Sequence, residues 1–174
     1  MESLKAWHDF FVVLGAAAGT LIGAMFVVVS IGSGLVRQST LASRVFVTPT
    51  IVHLALVLLA SAFVLVPSLD RLTLGAAAGV AGIAFLGYAA RNIFHIERQN
   101  RIHWSDHLWY GIGPAVGYLV MIGGAVLILE ARSGGVEALA FALALQVVCG
   151  IRNAWDLILF FLERQSDGGT LPPP

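Results

Sequence analysis

The stretch FFVVLGAAAGTLIGAMFVVVSIGSGLV, residues 10–36, holds no charged side chain across 27 positions and is bounded by Asp9 and Arg37. A helix needs about 20 apolar residues to cross the hydrocarbon core of a bilayer, so this run predicts a membrane-spanning helix with length to spare. Four more runs follow. Residues 45–69 contain only His53 as an ionisable imidazole, residues 72–90 and 108–129 carry no charge, and residues 138–162 are interrupted by Arg152 and Asp156 alone. The apolar positions in these runs are continuous rather than alternating, which excludes a transmembrane β-barrel. Pro67, Ser68 and Asp70 punctuate the chain between the second and third runs, and residues 132–135 between the fourth and fifth.

The expectation is an all-α polytopic membrane helix bundle in residues 1–166, with about five transmembrane helices near 10–36, 46–67, 72–94, 108–130 and 137–163. Residues 167–174, with Gly-Gly and Pro-Pro-Pro, read as a disordered tail. Composition agrees. The chain is 58% hydrophobic and 11% charged, with a mean hydropathy of +0.87, against about 25% charged residues in a soluble domain. Two acids beside Lys5 and the length of the first run argue against a cleaved signal peptide. Ten basic and ten acidic residues balance to a net charge of zero. With no basic cluster present, nucleic acid is excluded as a partner, and the lipid bilayer is the expected one.

Orientation is read from Lys and Arg in the short loops. One face of a five-span bundle holds Lys5, Arg71 and Arg132; the other holds Arg37, Arg44, Arg91, Arg98, Arg101 and Arg164. The positive-inside tendency therefore places the N-terminus outside and the C-terminus in the cytoplasm. Trp104, Trp109 and Tyr110 fit an aromatic belt at the cytoplasmic interface, and Trp7, Phe10 and Phe11 an anchor at the other.

Small residues recur at the spacing that lets helices approach closely in lipid: Gly15, Gly19 and Gly23 in the first run, and Gly75 and Gly79 in the third. Both runs contain Gly-Ala-Ala-Ala-Gly, a coincidence that comes easily in Gly/Ala-rich helices. The expected partner of each face is a helix of the same chain or of a second protomer in a homo-oligomer.

The fifth run carries the polar chemistry. On a translocon scale its two charges cost about 5–7 kcal/mol, and its apolar residues return about 4–8. A span so closely balanced needs partners for its charges. At 100° per residue, Gln146, Cys149, Arg152, Asn153, Asp156 and Glu163 share a sector of roughly 120°. Arg152 and Asp156, four apart, can pair along the helix, although this leaves guanidinium donors unsatisfied. His53 lies about six residues inside the second run and Asp156 about six from the end of the fifth, so both are expected roughly 9 Å below one interface. The third run brings Tyr88, Arg91 and Asn92 to the same half. A cluster of His53, Tyr88, Arg91, Arg152, Asn153 and Asp156 is therefore expected there.

Two readings of that cluster stand side by side: an ion, proton or solute path marked by intramembrane ionisable groups, and a hydrogen-bonded lock on helix packing. A path requires a water-accessible vestibule reaching His53 and Asp156; a lock requires a dry, fully paired cluster. Other constellations are thinner. His103, Asp106 and His107 have zinc-ligand spacing with nothing to complete the site, and His53 with His95 is the one bis-His haem pairing, at unequal depths. Cys149 reads as a packed hydrophobe. No cofactor or metal is expected, and the absence of a phosphate loop, nucleophile elbow or paired-carboxylate motif argues against an enzyme.

The string Gly150-Ile-Arg-Asn-Ala-Trp-Asp-Leu157, together with Thr48-Pro-Thr-Ile-Val-His53, resembles a group of small bacterial integral membrane proteins of uncharacterised function. The resemblance covers nearly the whole chain. It implies an inner-membrane helix bundle and carries no activity.

Overall fold

The computed structural model describes residues 2–31, 47–97 and 108–167. Among them there is no strand: the chain is an all-α helical bundle. The helices are α1 (Glu2–Ala6), α2 (His8–Ile31), α3 (Thr48–Val64), α4 (Arg71–Glu97), α5 (Gly113–Leu129) and α6 (Gly135–Asp167), with a π-helical turn, Leu108–Ile112, leading into α5. Four segments are long and apolar enough to cross a membrane: α2, most of α4, the π turn with α5, and the first 25 residues of α6. α3, at 17 residues, is the short one.

Apolar runs and helices coincide, with differences at the ends. A separate helical turn, α1, precedes α2, and the two are divided at Trp7. α6 starts at Gly135 and runs 33 residues to Asp167, about 50 Å, well beyond a hydrocarbon core of about 30 Å. Residues 32–36 of the first run, the loop arginines Arg37, Arg44, Arg98 and Arg101, the string from His103 to His107, and residues 168–174 lie outside the described residues.

Two short links close one end of the bundle. In the first, the Asp70 carboxylate accepts a hydrogen bond from the Thr73 backbone N–H at 3.2 Å and caps α4; hydrogen bonding to Thr73 holds this carboxyl below the usual carboxylate range. In the second, α5 ends in a Schellman motif. The Arg132 N–H donates to the Leu127 carbonyl at 2.9 Å and the Ala131 N–H to Ile128 at 3.1 Å, which places Ala131 at φ 57°.

α6 is the central helix. It packs against α2, α3 and α5, while α4 lies outside against α5, and α2 against α3. Its apolar window is 56% buried, against 22% for α2. The run with the most polar stripe is thus the one most surrounded by protein, as the cost of facing lipid with polar groups requires.

The glycine faces find their partners within the chain, and not in each other. A Cβ at Gly75 would stand 2.6 Å from Leu129, and one at Gly79 3.6 Å from Ala125, so the α4 stripe seats on α5. Gly15 meets Ser61 of α3 at 3.1 Å and Gly19 meets Leu58 at 3.9 Å, whereas Gly23 faces open space. Phe11 is fully buried and so belongs to the core rather than to an interfacial anchor; Trp7 and Phe10 stack edge-on at 5.2 Å beside it.

Candidate functional site

Depth is best counted from the short-link end, where α3, α4, α5 and α6 start or stop at defined turns. Eleven residues separate His53 from Val64, Tyr118 from Leu129, and Gln146 from Gly135. At 1.5 Å per residue all three lie about 16 Å from that end, the middle of a hydrocarbon core about 30 Å thick. Arg91 is 20 residues from the start of α4, and Asp156 is 21 from the start of α6. Those two stand about 30 Å away, at the far edge of the core. The polar side chains therefore occupy two tiers.

In the middle tier, His53 is fully buried. Its Nδ1 shares a hydrogen bond with the Tyr118 hydroxyl, the tautomer deciding which group donates. The Tyr88 ring stands edge-on to the imidazole with centroids 6.2 Å apart, and Phe85 packs 5.7 Å from Tyr118. Gln146 Nε2 donates to the Pro114 carbonyl at 2.9 Å. Gly117 makes this possible, because a Cβ there would fall 2.6 Å from that nitrogen. His53 Nε2 and Gln146 Oε1 are buried without a hydrogen-bond partner, as is Ser61 Oγ nearer the short-link end.

In the outer tier, Arg152 pairs with Asp156 along α6. Tyr110, on the π turn, donates to Asp156 Oδ2 at 3.4 Å and reaches the Asn153 carbonyl at 3.5 Å, both at the long end of the hydrogen-bond range. Asn153 is fully buried, with both side-chain polar atoms unpartnered. The charged pair is less enclosed, with side chains 39% and 22% exposed. Helical geometry accounts for this: within the polar sector Arg152 lies on the edge next to exposed Ile151 and Trp155, while Asn153 lies near the centre of the bundle. Arg91 sits over the Tyr88 ring at 5.7 Å, so Tyr88 touches a member of each tier.

The six residues expected as one cluster are thus divided. His53 and Tyr88 are together, Arg91 joins them through Tyr88, and Arg152, Asn153 and Asp156 gather around Tyr110. No described contact joins His53 to Arg152 or Asp156. The equal depth expected for His53 and Asp156 does not survive counting from the links, because α6 extends past the core and its end is a poor marker of the interface. Tyr118 was the residue sequence reading passed over. It lies eleven positions back from Leu129, the residue before Glu130, and so level with His53.

Among the described residues no three His, Cys, Asp or Glu side chains gather as metal ligands. The His103–His107 string and the His95 side chain lie outside the described residues, so the zinc and haem pairings have no geometry to report. Cys149 is buried, its sulfur 2.9 Å from where a Gly113 Cβ would stand, the environment of a packed hydrophobe. No protein-family model matches the chain, and no curated protein or solved structure proved similar to it.

Proposed function

We propose that the protein is a multi-pass protein of a bacterial inner membrane, N-terminus outside and C-terminus cytoplasmic, serving as a non-conducting accessory or structural subunit. Its polar tiers lock the helices to one another: His53 and Tyr118 join α3 to α5, while Gln146 on the Pro114 carbonyl and Tyr110 on Asp156 hold the central helix α6. One observation carries this reading: His53, the ionisable group nearest mid-membrane, is fully buried and tied to Tyr118, while Arg152 and Asp156 neutralise each other at the rim. A conduction path needs its titratable groups wetted; here the central one is packed among aromatic rings. Interhelical polar contacts in membranes contribute about 0.6 kcal/mol on average, enough to specify register more than to stabilise it.

A second reading is supported by the unpartnered His53 Nε2 and the unpartnered Asn153 amide. Buried polar atoms without partners are rare, and each calls for a physical explanation. In this reading the two tiers, bridged by Tyr88, form part of a proton or ion path in a homo-oligomer, since five helices enclose little volume. Proton and monovalent-ion flux in liposomes separates the readings. The lock predicts no flux above empty liposomes under any gradient, with His53→Ala and Asp156→Asn chiefly lowering thermal stability. Flux in wild type that collapses in well-folded variants would overturn it.

A further inference from the structure

At the short-link end, opposite the outer polar tier, two cavities have one lining residue in common. The first, of about 420 Å³, is lined by Arg71 and Arg132, by Glu137 and by the residues 133–135 that lead into α6. The second is an apolar groove of about 310 Å³ between α3 and α4, walled by Phe63, Ala77 and Ala81 and floored by Met121 and Leu139. Leu74 lines both. The groove exists because α3 and α4, although joined by a short link, are not closely packed along their length: α4 leans on α5 instead, and alanines at 77, 78 and 81 leave its facing side shallow.

We infer that this pair of cavities is a binding site for one phospholipid, its phosphodiester in the basic pocket and one acyl chain in the groove. Three observations converge. The groove offers hydrocarbon a wall with almost no polar group, and in a bilayer hydrocarbon is what fills such a wall. Its depth matches a leaflet: Leu74 is three residues and Ala81 ten residues from the start of α4, about 5 and 15 Å below the interface, against about 15 Å for half of a hydrocarbon core. The upper pocket then sits at headgroup level with two guanidinium groups, each suited to phosphate oxygens. Arg132 holds Glu130 at 3.4 Å in an exposed pair that leaves most of its donors open, and Arg71 is exposed. Glu137 lines the same pocket, and with Glu130 on Arg132 two carboxylates balance two guanidinium groups, so a phosphodiester would be held by the open guanidinium donors rather than by net charge.

The test uses the full chain, delipidated in detergent, and native mass spectrometry with two probes that share their tails: dioleoylphosphatidylglycerol and dioleoylglycerol, which lacks the phosphate. One phosphatidylglycerol per chain is expected, bound at least tenfold more tightly than dioleoylglycerol. Arg71→Gln and Arg132→Gln together should erase that preference, and the Lys versions should keep most of it. Ala77→Phe, which fills the groove, should weaken both probes tenfold, with a melting curve confirming that each variant is folded. Equal affinity for the two probes, or indifference to Ala77→Phe, would overturn the site. So would a dimer that Ala77→Phe dissociates, which would assign the groove to a second copy of the chain.

Discussion

Tyr118→Phe removes one oxygen from the centre of the bundle and tests whether the middle tier holds it together. His53 is fully buried, its Nε2 has no partner, and its Nδ1 is served by Tyr118. Without the hydroxyl both ring nitrogens are left bare, while ring volume and the packing on Phe85 are kept. In a soluble core an orphaned buried group costs about 1–3 kcal/mol. In membranes the unfolded helices also find partners, and interhelical contacts measure about 0.6 kcal/mol on average with a maximum near 1.7. A loss of about 1 kcal/mol is therefore expected. The assay is equilibrium unfolding in mixed micelles, followed by the fluorescence of the four tryptophans. A cycle with His53→Leu isolates the bond. Each single variant strands one polar partner, the double variant strands neither, and the coupling should be about 1 kcal/mol, well outside the ~0.3–0.5 expected of independent sites. Additive effects within that margin would refute the argument, because the bond would then contribute nothing and α3 would be held by apolar packing alone.

Three further predictions concern the backbone, with stability again the readout. Gly75→Ala drives a methyl to within 2.6 Å of Leu129 and 3.3 Å of the Ala125 carbonyl, and should cost about 1–3 kcal/mol. Gly23→Ala meets nothing within 4 Å and should be neutral or gain up to about 1 kcal/mol of helix propensity; a clear loss there would reveal a partner covering that face. Ala131→Gly relieves a left-handed residue at φ 57° in the Schellman turn and should stabilise the chain by up to about 1 kcal/mol, an idea abandoned if the melting temperature falls.

The apolar runs determined by themselves that the chain is a bundle of helices, and roughly where each begins, because a stretch such as residues 10–36 has no other way to satisfy its backbone in lipid; four of the described segments are long enough to span and α3 is shorter. The stripe through Gln146, Asn153 and Asp156 likewise marked α6 as a helix that must be enclosed, and it is the most buried of the four spans. Which side chains meet was another matter. Tyr118 is a neutral residue in a neutral run and sends no hydropathy signal, and His53 and Asp156 seemed level only because depth was measured from the start of α3, which falls short of the core, and from the end of α6, which overruns it. The glycine faces of α2 and α4 announced close packing but not with whom: α4 chose α5 and α2 chose α3. Burial and period are properties of one helix and can be read along the chain. Depth, partner and pairing are relations between helices, and they are set only when the short links fix the ends against one another and the bundle closes around α6.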